Sequence, residues 1–197
     1  MSNGGCNKRQ PVRMPPNSAP HTPVLLSEVI AAISPVSNGV YLDGTFGAGG
    51  YSRAVLEAAD CTVLAIDRDP AALAAAVPLV DSFDKRLRPI QGCFGDMEAL
   101  ARDAGFDGLD GVMLDLGVSS MQLDEAARGF SFMRDGPLDM RMGSAGASAE
   151  DLVNDAEPAL LVSILSVYGE ERRARAIVRA ITARRDSGRI TRTGELA

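Results

Sequence analysis

From residue 40 onward, short β-branched or apolar runs alternate with stretches of helical periodicity, the pattern of a parallel sheet covered by helices on its faces. Four strands are predicted, at 40–43, 62–67, 88–92 and 110–116, joined by crossover helices at 51–59, 70–77 and 97–104. Asp69-Pro70 forms a strong helix start, because an aspartate can accept from the free N–H groups while proline occupies the first helical position. After Leu116 a glycine-containing segment runs to Gly146, and from there only helical patterns follow, at 149–155, 158–167 and 170–185. Ser148-Ala-Glu-Asp151 opens the first of these as a capping box. A parallel sheet of four strands is thin, so the pattern reads as an incomplete sheet and the N-terminal part of a longer protein.

Composition narrows the class. A chain of 197 residues with 46% hydrophobic content can bury a sizeable core. Residues 1–20 hold Gly4, Gly5, Pro11, Pro15, Pro16 and Pro20 among polar residues, and read as a disordered leader without the apolar stretch of a signal peptide. No run approaches the roughly 18 apolar residues of a membrane span. Cys6, Cys61 and Cys93 are odd in number and widely spaced, which suggests neither a disulfide framework nor a zinc site and points to a reducing cytoplasm. His21 is the single histidine, so a Ser-His-Asp triad and a histidine metal cluster are both disfavoured.

The net charge of −6 argues against nucleic acid as a partner, but it conceals an asymmetry. Residues 172–192 contain Arg172, Arg173, Arg175, Arg179, Arg184, Arg185, Arg189 and Arg192 against Asp186 alone, a local charge of +7 that leaves −13 for the remainder. Residues 128–142 also interleave Arg128, Arg134 and Arg141 with Phe130 and Phe132. That mixture suits single-stranded RNA, with guanidinium groups on phosphates and rings on splayed bases, and it equally suits a surface loop anchored by two phenylalanines. The arginine helix has the same two readings, as an RNA contact or as the solvated face of a helix with an apolar stripe at Ile177, Val178 and Ile181.

The candidate chemistry gathers at strand ends. Asp43-Gly-Thr-Phe-Gly47-Ala-Gly49-Gly50 follows the first strand and precedes a helix, where glycines let a ligand approach the backbone and a helix N-terminus. In isolation it is as readable as a tight turn. Counting a nicotinamide fingerprint from Gly47 puts Ser52 where its third glycine belongs, which disfavours a nicotinamide-dependent oxidoreductase. No Gly-Lys-Ser/Thr follows, so this is not a Walker loop. Asp67 ends the second strand 18 residues after Gly49, near the spacing of about 20 at which an acid reaches ribose hydroxyls. Phe94 lies just past the third strand, where its ring could cover an adenine or simply fill a core. Asp115 ends the predicted fourth strand, where a carboxylate could attract a sulfonium charge or accept from a target amine.

Together, His21-Thr-Pro-Val-Leu-Leu-Ser-Glu28, the loop Asp43 to Gly50, Ile66-Asp-Arg-Asp-Pro70, Asp115-Leu-Gly-Val-Ser-Ser120, the Arg128 to Met142 run and Tyr168-Gly-Glu-Glu-Arg172 strongly resemble the bacterial small-subunit rRNA methyltransferase H family, also called MraW. The resemblance covers the chain from His21 to Ala197. It implies a Rossmann-like α/β sheet of the class I S-adenosylmethionine methyltransferases, at 21–122 and incomplete here. An inserted helical substrate-recognition domain would begin near Leu123 and continue through 197. The implied activity is transfer of a methyl group from S-adenosyl-L-methionine to the exocyclic N4 of a cytidine in the decoding region of 16S rRNA, with the small ribosomal subunit as partner.

Carried over motif by motif, the donor-binding positions are Gly49, Gly50, Tyr51, Asp67, Phe94, Asp115 and Gln122. Tyr51 and Gln122 come from the resemblance only, and many members have histidine where this chain has Tyr51. Asp115, or a backbone carbonyl in the turn 116–120, is the expected acceptor for the target amine. Family members continue with further strands and a stretch resembling Ser-Phe-His-Ser-Leu-Glu-Asp-Arg, which this chain lacks. A non-catalytic RNA-binding module is the remaining alternative.

Overall fold

A computed structural model describes residues 23–197; the expected leader at 1–20 and His21 lie outside the described residues. Helix α1 (Leu26–Ile33) precedes β1 (Val40–Asp43), α2 (Gly50–Ala58) and β2 (Thr62–Asp67). Then come α3 (Pro70–Ala75), α4 (Val77–Ser82), β3 (Leu87–Gln91), α5 (Met97–Asp103) and β4 (Gly111–Met113). All pairings are parallel and the spatial order is β3-β2-β1-β4, with Leu42 opposite Leu64 and Val112.

Side chains of successive strand residues point to opposite faces, and the sequence uses both. Tyr41, Val63, Ala65, Leu87 and Met113 meet Val55, Leu56 and Leu79 on one face, with α1 packed alongside. Leu42, Leu64 and Ile66 meet Ala101 and the flanking Met97 and Leu100 on the other. Leu42, Val63, Leu64, Ala65 and Ile66 have no exposed surface. Pro89 in β3 is tolerated because β3 is an edge strand, and Arg88 stacks over the Phe106 ring at 4.9 Å.

Several predicted boundaries change. The fourth strand covers 111–113 rather than 110–116, so Asp115 stands two residues beyond it. The helix expected at 70–77 is two helices meeting at Ala76, since Pro78 cannot donate to the first ladder. Helix α1, which has no counterpart in the predicted pattern, follows Leu25 in a left-handed conformation.

After β4 come α6 (Ser120–Asp124), α7 (Ala149–Asp155), α8 (Pro158–Ser163), α9 (Ala174–Arg185) and α10 (Thr193–Leu196). The helix expected at 158–167 ends as α-helix at Ser163 and continues as a π-helical turn, Ile164–Tyr168; α9 starts at Ala174 rather than 170. Leu138, Val153, Leu161, Val178, Ile181 and Ile190 form a second hydrophobic core without a sheet residue in it. The capping box at Ser148 and Asp151 is present. Asn154 bonds both backbone groups of Ile190, and Arg185 donates to the carbonyls of Val153 and Ala156 near the end of α7. Among the described residues no helix is long and apolar enough to cross a membrane.

Candidate donor-binding edge

Strand order alone picks out one place. β1 continues sideways to β2 but has β4 on its other flank, so the order of strands reverses at β1, and the crevice outside the carboxyl ends of β1 and β4 is where open α/β sheets bind ligands. The loop from Gly44 to Gly50 leaves β1 at this point and is held from both sides. Toward β2, Phe46 N–H donates to the Ile66 carbonyl at 3.1 Å and Gly47 N–H to the Asp67 carboxylate at 2.8 Å. Toward β4, Gly44 N–H donates to the Met113 carbonyl at 3.0 Å, and Asp115 N–H donates to Thr45 Oγ1 at 2.7 Å.

Beneath the loop sits Asp43, which is fully buried. Its carboxylate accepts from the Ser52 hydroxyl at 2.7 Å and from Thr45 N–H at 3.2 Å, joining β1 to α2. Burial pushes its pKa up to about 6 against the lowering effect of these two donors, and the nearby Asp67 charge pushes the same way as burial.

The three glycines have different reasons for being glycine. Gly47 adopts φ +51° and has nothing nearer than 3.8 Å to where a Cβ would stand, so it presents open backbone. Gly49 adopts φ +76°, and a Cβ there would come within 2.8 Å of the Phe46 ring and Leu79; at Gly50 it would collide with Pro23. Packing therefore dictates glycine at 49 and 50, whereas the sequence reading assigned their bareness to a ligand.

Asp67 is partly buried, and its second oxygen accepts from Asp69 N–H at 2.8 Å, so it steadies two loops as well as facing the crevice. Asp69 takes the capping role expected of it, accepting from Ala71 N–H at 3.0 Å. Phe94 keeps 39% of its surface exposed in a short 3₁₀ turn, and its Cβ lies beside Gly44 together with Leu114. Tyr51 is largely buried and its hydroxyl donates to the Val24 carbonyl. Burial first, then the neighbouring Asp115 and Asp43 carboxylates, push its phenol up. Asp115 itself is exposed. The structure thus brings Gly47, Tyr51, Asp67, Phe94 and Asp115 to one edge. Gln122 is instead committed to its own turn: its side-chain oxygen accepts from Ser119 N–H at 2.9 Å while Ser119 Oγ accepts from Gln122 N–H.

One connection lies beyond the sequence reading. Arg128, which the sequence left open between an RNA contact and a surface loop, forms a 2.6 Å ion pair with Asp69 and donates to the carbonyls of Arg141 and Met142. Arg141 is held by Asp139, whose pKa it lowers, and Arg134 donates to the Asp124 carbonyl. These three arginines fold the segment 128–142 and dock it beside α3; Phe132 and Met133 at its tip remain exposed. The signal available in sequence was Asp139, two residues from Arg141 and easily passed over as a surface charge.

The edge offers the carboxylates of Asp67 and Asp115, from the two strands that flank β1, a half-exposed ring, open backbone at Gly47 and apolar Leu114, Leu116 and Val118. That donor set suits a cationic nucleoside: acid groups for hydroxyls and positive charge, and a flat apolar surface for a base. Among the described residues no group of three or more His, Cys, Asp or Glu could hold a metal.

A model of the MraW methylase family matches residues 18–197. The chain is 57% identical over 181 residues to the ribosomal RNA small subunit methyltransferase H of Parvibaculum lavamentivorans, an alignment covering 92% of this chain and 53% of that protein. It is 60% identical over 178 residues to the protein of that name from Gluconobacter oxydans, covering 90% and 54%. With the Rhodospirillum rubrum protein the identity is 56% over 178 residues, covering 90% and 55%. The chain spans about half the length of these curated relatives.

Proposed function

The chain belongs to the MraW methylase family, and from that membership we propose that the whole protein transfers a methyl group from S-adenosyl-L-methionine to the exocyclic N4 of a cytidine in the decoding region of 16S rRNA. The observation that carries the reading is the Gly44 to Gly50 loop, fastened to β2 and β4 at the reversal of strand order, with Asp67, Phe94 and Asp115 around it. Asp67 takes the ribose hydroxyls and Phe94 covers the adenine, while Gly49, Gly50 and Tyr51 complete the donor site; Gln122, which the family pattern also points to, braces the turn at Ser119 instead. S-adenosylmethionine, when bound, supplies an electrophilic methyl carbon. The small ribosomal subunit is the macromolecular partner, in the cytoplasm, and residues 123–197 form part of a helical substrate-recognition region built on the second core.

Cytosine N4 is a weak nucleophile because its lone pair is conjugated with the ring, so the protein's contribution is to orient it. Asp115 is exposed at the crevice and anchored through its own N–H to Thr45, so its carboxylate can accept a hydrogen bond from the amine without the backbone shifting. The test is mass spectrometry of nucleosides from small subunits incubated with the full-length protein and donor. N4-methylcytidine is the expected product, and its absence would leave RNA binding without catalysis. Asp115→Asn is expected to slow single-turnover methylation by roughly a hundredfold; an unchanged rate removes Asp115 from that role.

A further inference from the structure

The eight arginines of 172–192 divide into two sets. Arg184 pairs with Glu195, Arg185 holds the end of α7, Arg189 pairs with Asp155 and Glu150, and Arg192 pairs with Asp135. These four build the second core and its closing segment. Among the described residues, no guanidinium of Arg172, Arg173, Arg175 or Arg179 makes a hydrogen bond or ion pair, and all four line one cavity of about 510 Å³ beside α8 and α9. Glu171 is the only acid in its wall, a net local charge of +3, and its carboxylate is occupied by Arg173 N–H at 2.6 Å. A second cavity of about 480 Å³, floored by Pro158, Ala159 and Val178, shares Val162, Arg175 and Arg179 with the first, so the two form one groove with a cationic half and an apolar half.

We propose that this groove is a binding site for single-stranded RNA, with Arg172, Arg173, Arg175 and Arg179 on consecutive phosphates and the apolar floor under the sugars and bases. The choice of RNA over another polyanion rests on the rRNA methyltransferase reading above. The arrangement itself supports it: guanidinium groups left unpaired next to an apolar floor match a strand that presents phosphate on one side and flat bases on the other. The groove belongs to the second core and involves none of the residues of the donor-binding edge. It therefore acts by holding a flanking stretch of RNA rather than the reacting base.

The test uses the full-length protein and a fluorescent oligouridylate of about ten nucleotides, with affinity measured by anisotropy across a salt series. Arg175→Gln/Arg179→Gln is expected to weaken binding roughly tenfold and to lower the salt slope by about 1.4, at about 0.7 for each phosphate no longer neutralised. Arg102→Gln, an exposed arginine on α5, serves as the charge control and should change neither by as much. Unchanged affinity and slope in the groove variant, an equal loss in the control, or equally effective competition by oligoglutamate each overturns the proposal. Calorimetry of S-adenosylmethionine binding on the same samples separates the two readings: a groove variant that loses RNA but keeps donor supports the groove, and an unsubstituted protein that binds no donor speaks against methyl transfer alone.

Discussion

The carboxylate of Asp67 accepts from the backbone N–H of Gly47 at 2.8 Å, so the acid at the end of β2 also sets the shape of the loop leaving β1. Asp67→Ala removes the side-chain acceptor of two N–H groups, those of Gly47 and Asp69. The expected cost is about 2 kcal/mol in urea denaturation, together with at least a roughly tenfold loss of donor affinity by calorimetry. A stability loss with unchanged donor affinity would reduce Asp67 to a loop fastener.

Two glycines of that loop should respond differently to alanine. At Gly49 the substitution combines a left-handed backbone with a clash against Phe46 and Leu79, and about 3 kcal/mol of destabilisation is expected. At Gly47 only the backbone strain applies, about 1 kcal/mol, because the Cβ has room. Equal thermal shifts for the two variants would contradict the packing described for Gly49.

The buried Asp43 makes stability depend on pH. Its folded pKa of about 6 lies above the ordinary 3.8, so the folded state holds a proton that the unfolded chain has released. The contribution is fully present below pH 3.8 and is lost as pH rises to about 6, an amount near 3 kcal/mol at about 1.4 kcal/mol per unit. Urea denaturation between about pH 4 and about 7 should show this decline in the unsubstituted protein, and it should be absent in Asp43→Asn. The same decline in both would place its origin elsewhere.

Arg128 and Asp69 form an ion pair whose side chains are only 21% and 12% exposed. Removing one partner leaves the other charge largely buried, so Arg128→Met and Asp69→Ala should each cost about 3 kcal/mol, with Asp69→Ala also losing a helix cap. A double-mutant cycle is expected to show coupling above about 1 kcal/mol. Strict additivity would mean that the pair contributes no net interaction.

The sheet was legible because its strands carry apolar residues at both parities, as Tyr41 with Leu42 and Leu64 with Ala65 show. The second strand agrees residue for residue at Thr62–Asp67, and so does helix Ala149–Asp155, whose capping box is a local signal. The short β4 is overestimated in sequence because Leu114 and Leu116 continue the apolar run while standing exposed beyond the last pairing. The role of Arg128 stays open in sequence because its partner lies 59 residues earlier, a contact that only the fold creates. Asp67, Phe94 and Asp115 share one edge, as expected, because strand ends in a parallel sheet share a side. The commitment of Gln122 to Ser119 needed side-chain geometry that spacing does not contain.

The strand order also sets a schedule for synthesis. β1 is made first but occupies an interior place in the sheet, and its partner on one flank lies 70 residues later, with Asp110 bonding both backbone groups of Val40. While those residues are still being made, β1 can pair only with β2, and its other flank carries unpaired N–H and C=O groups beside the buried Leu42. Closure of that flank waits on a long-range contact, the slow kind in folding. The nascent chain therefore passes through a stage with an open sheet edge and the Gly44 to Gly50 loop fastened on one side only, the stage most exposed to mispairing or capture by a chaperone.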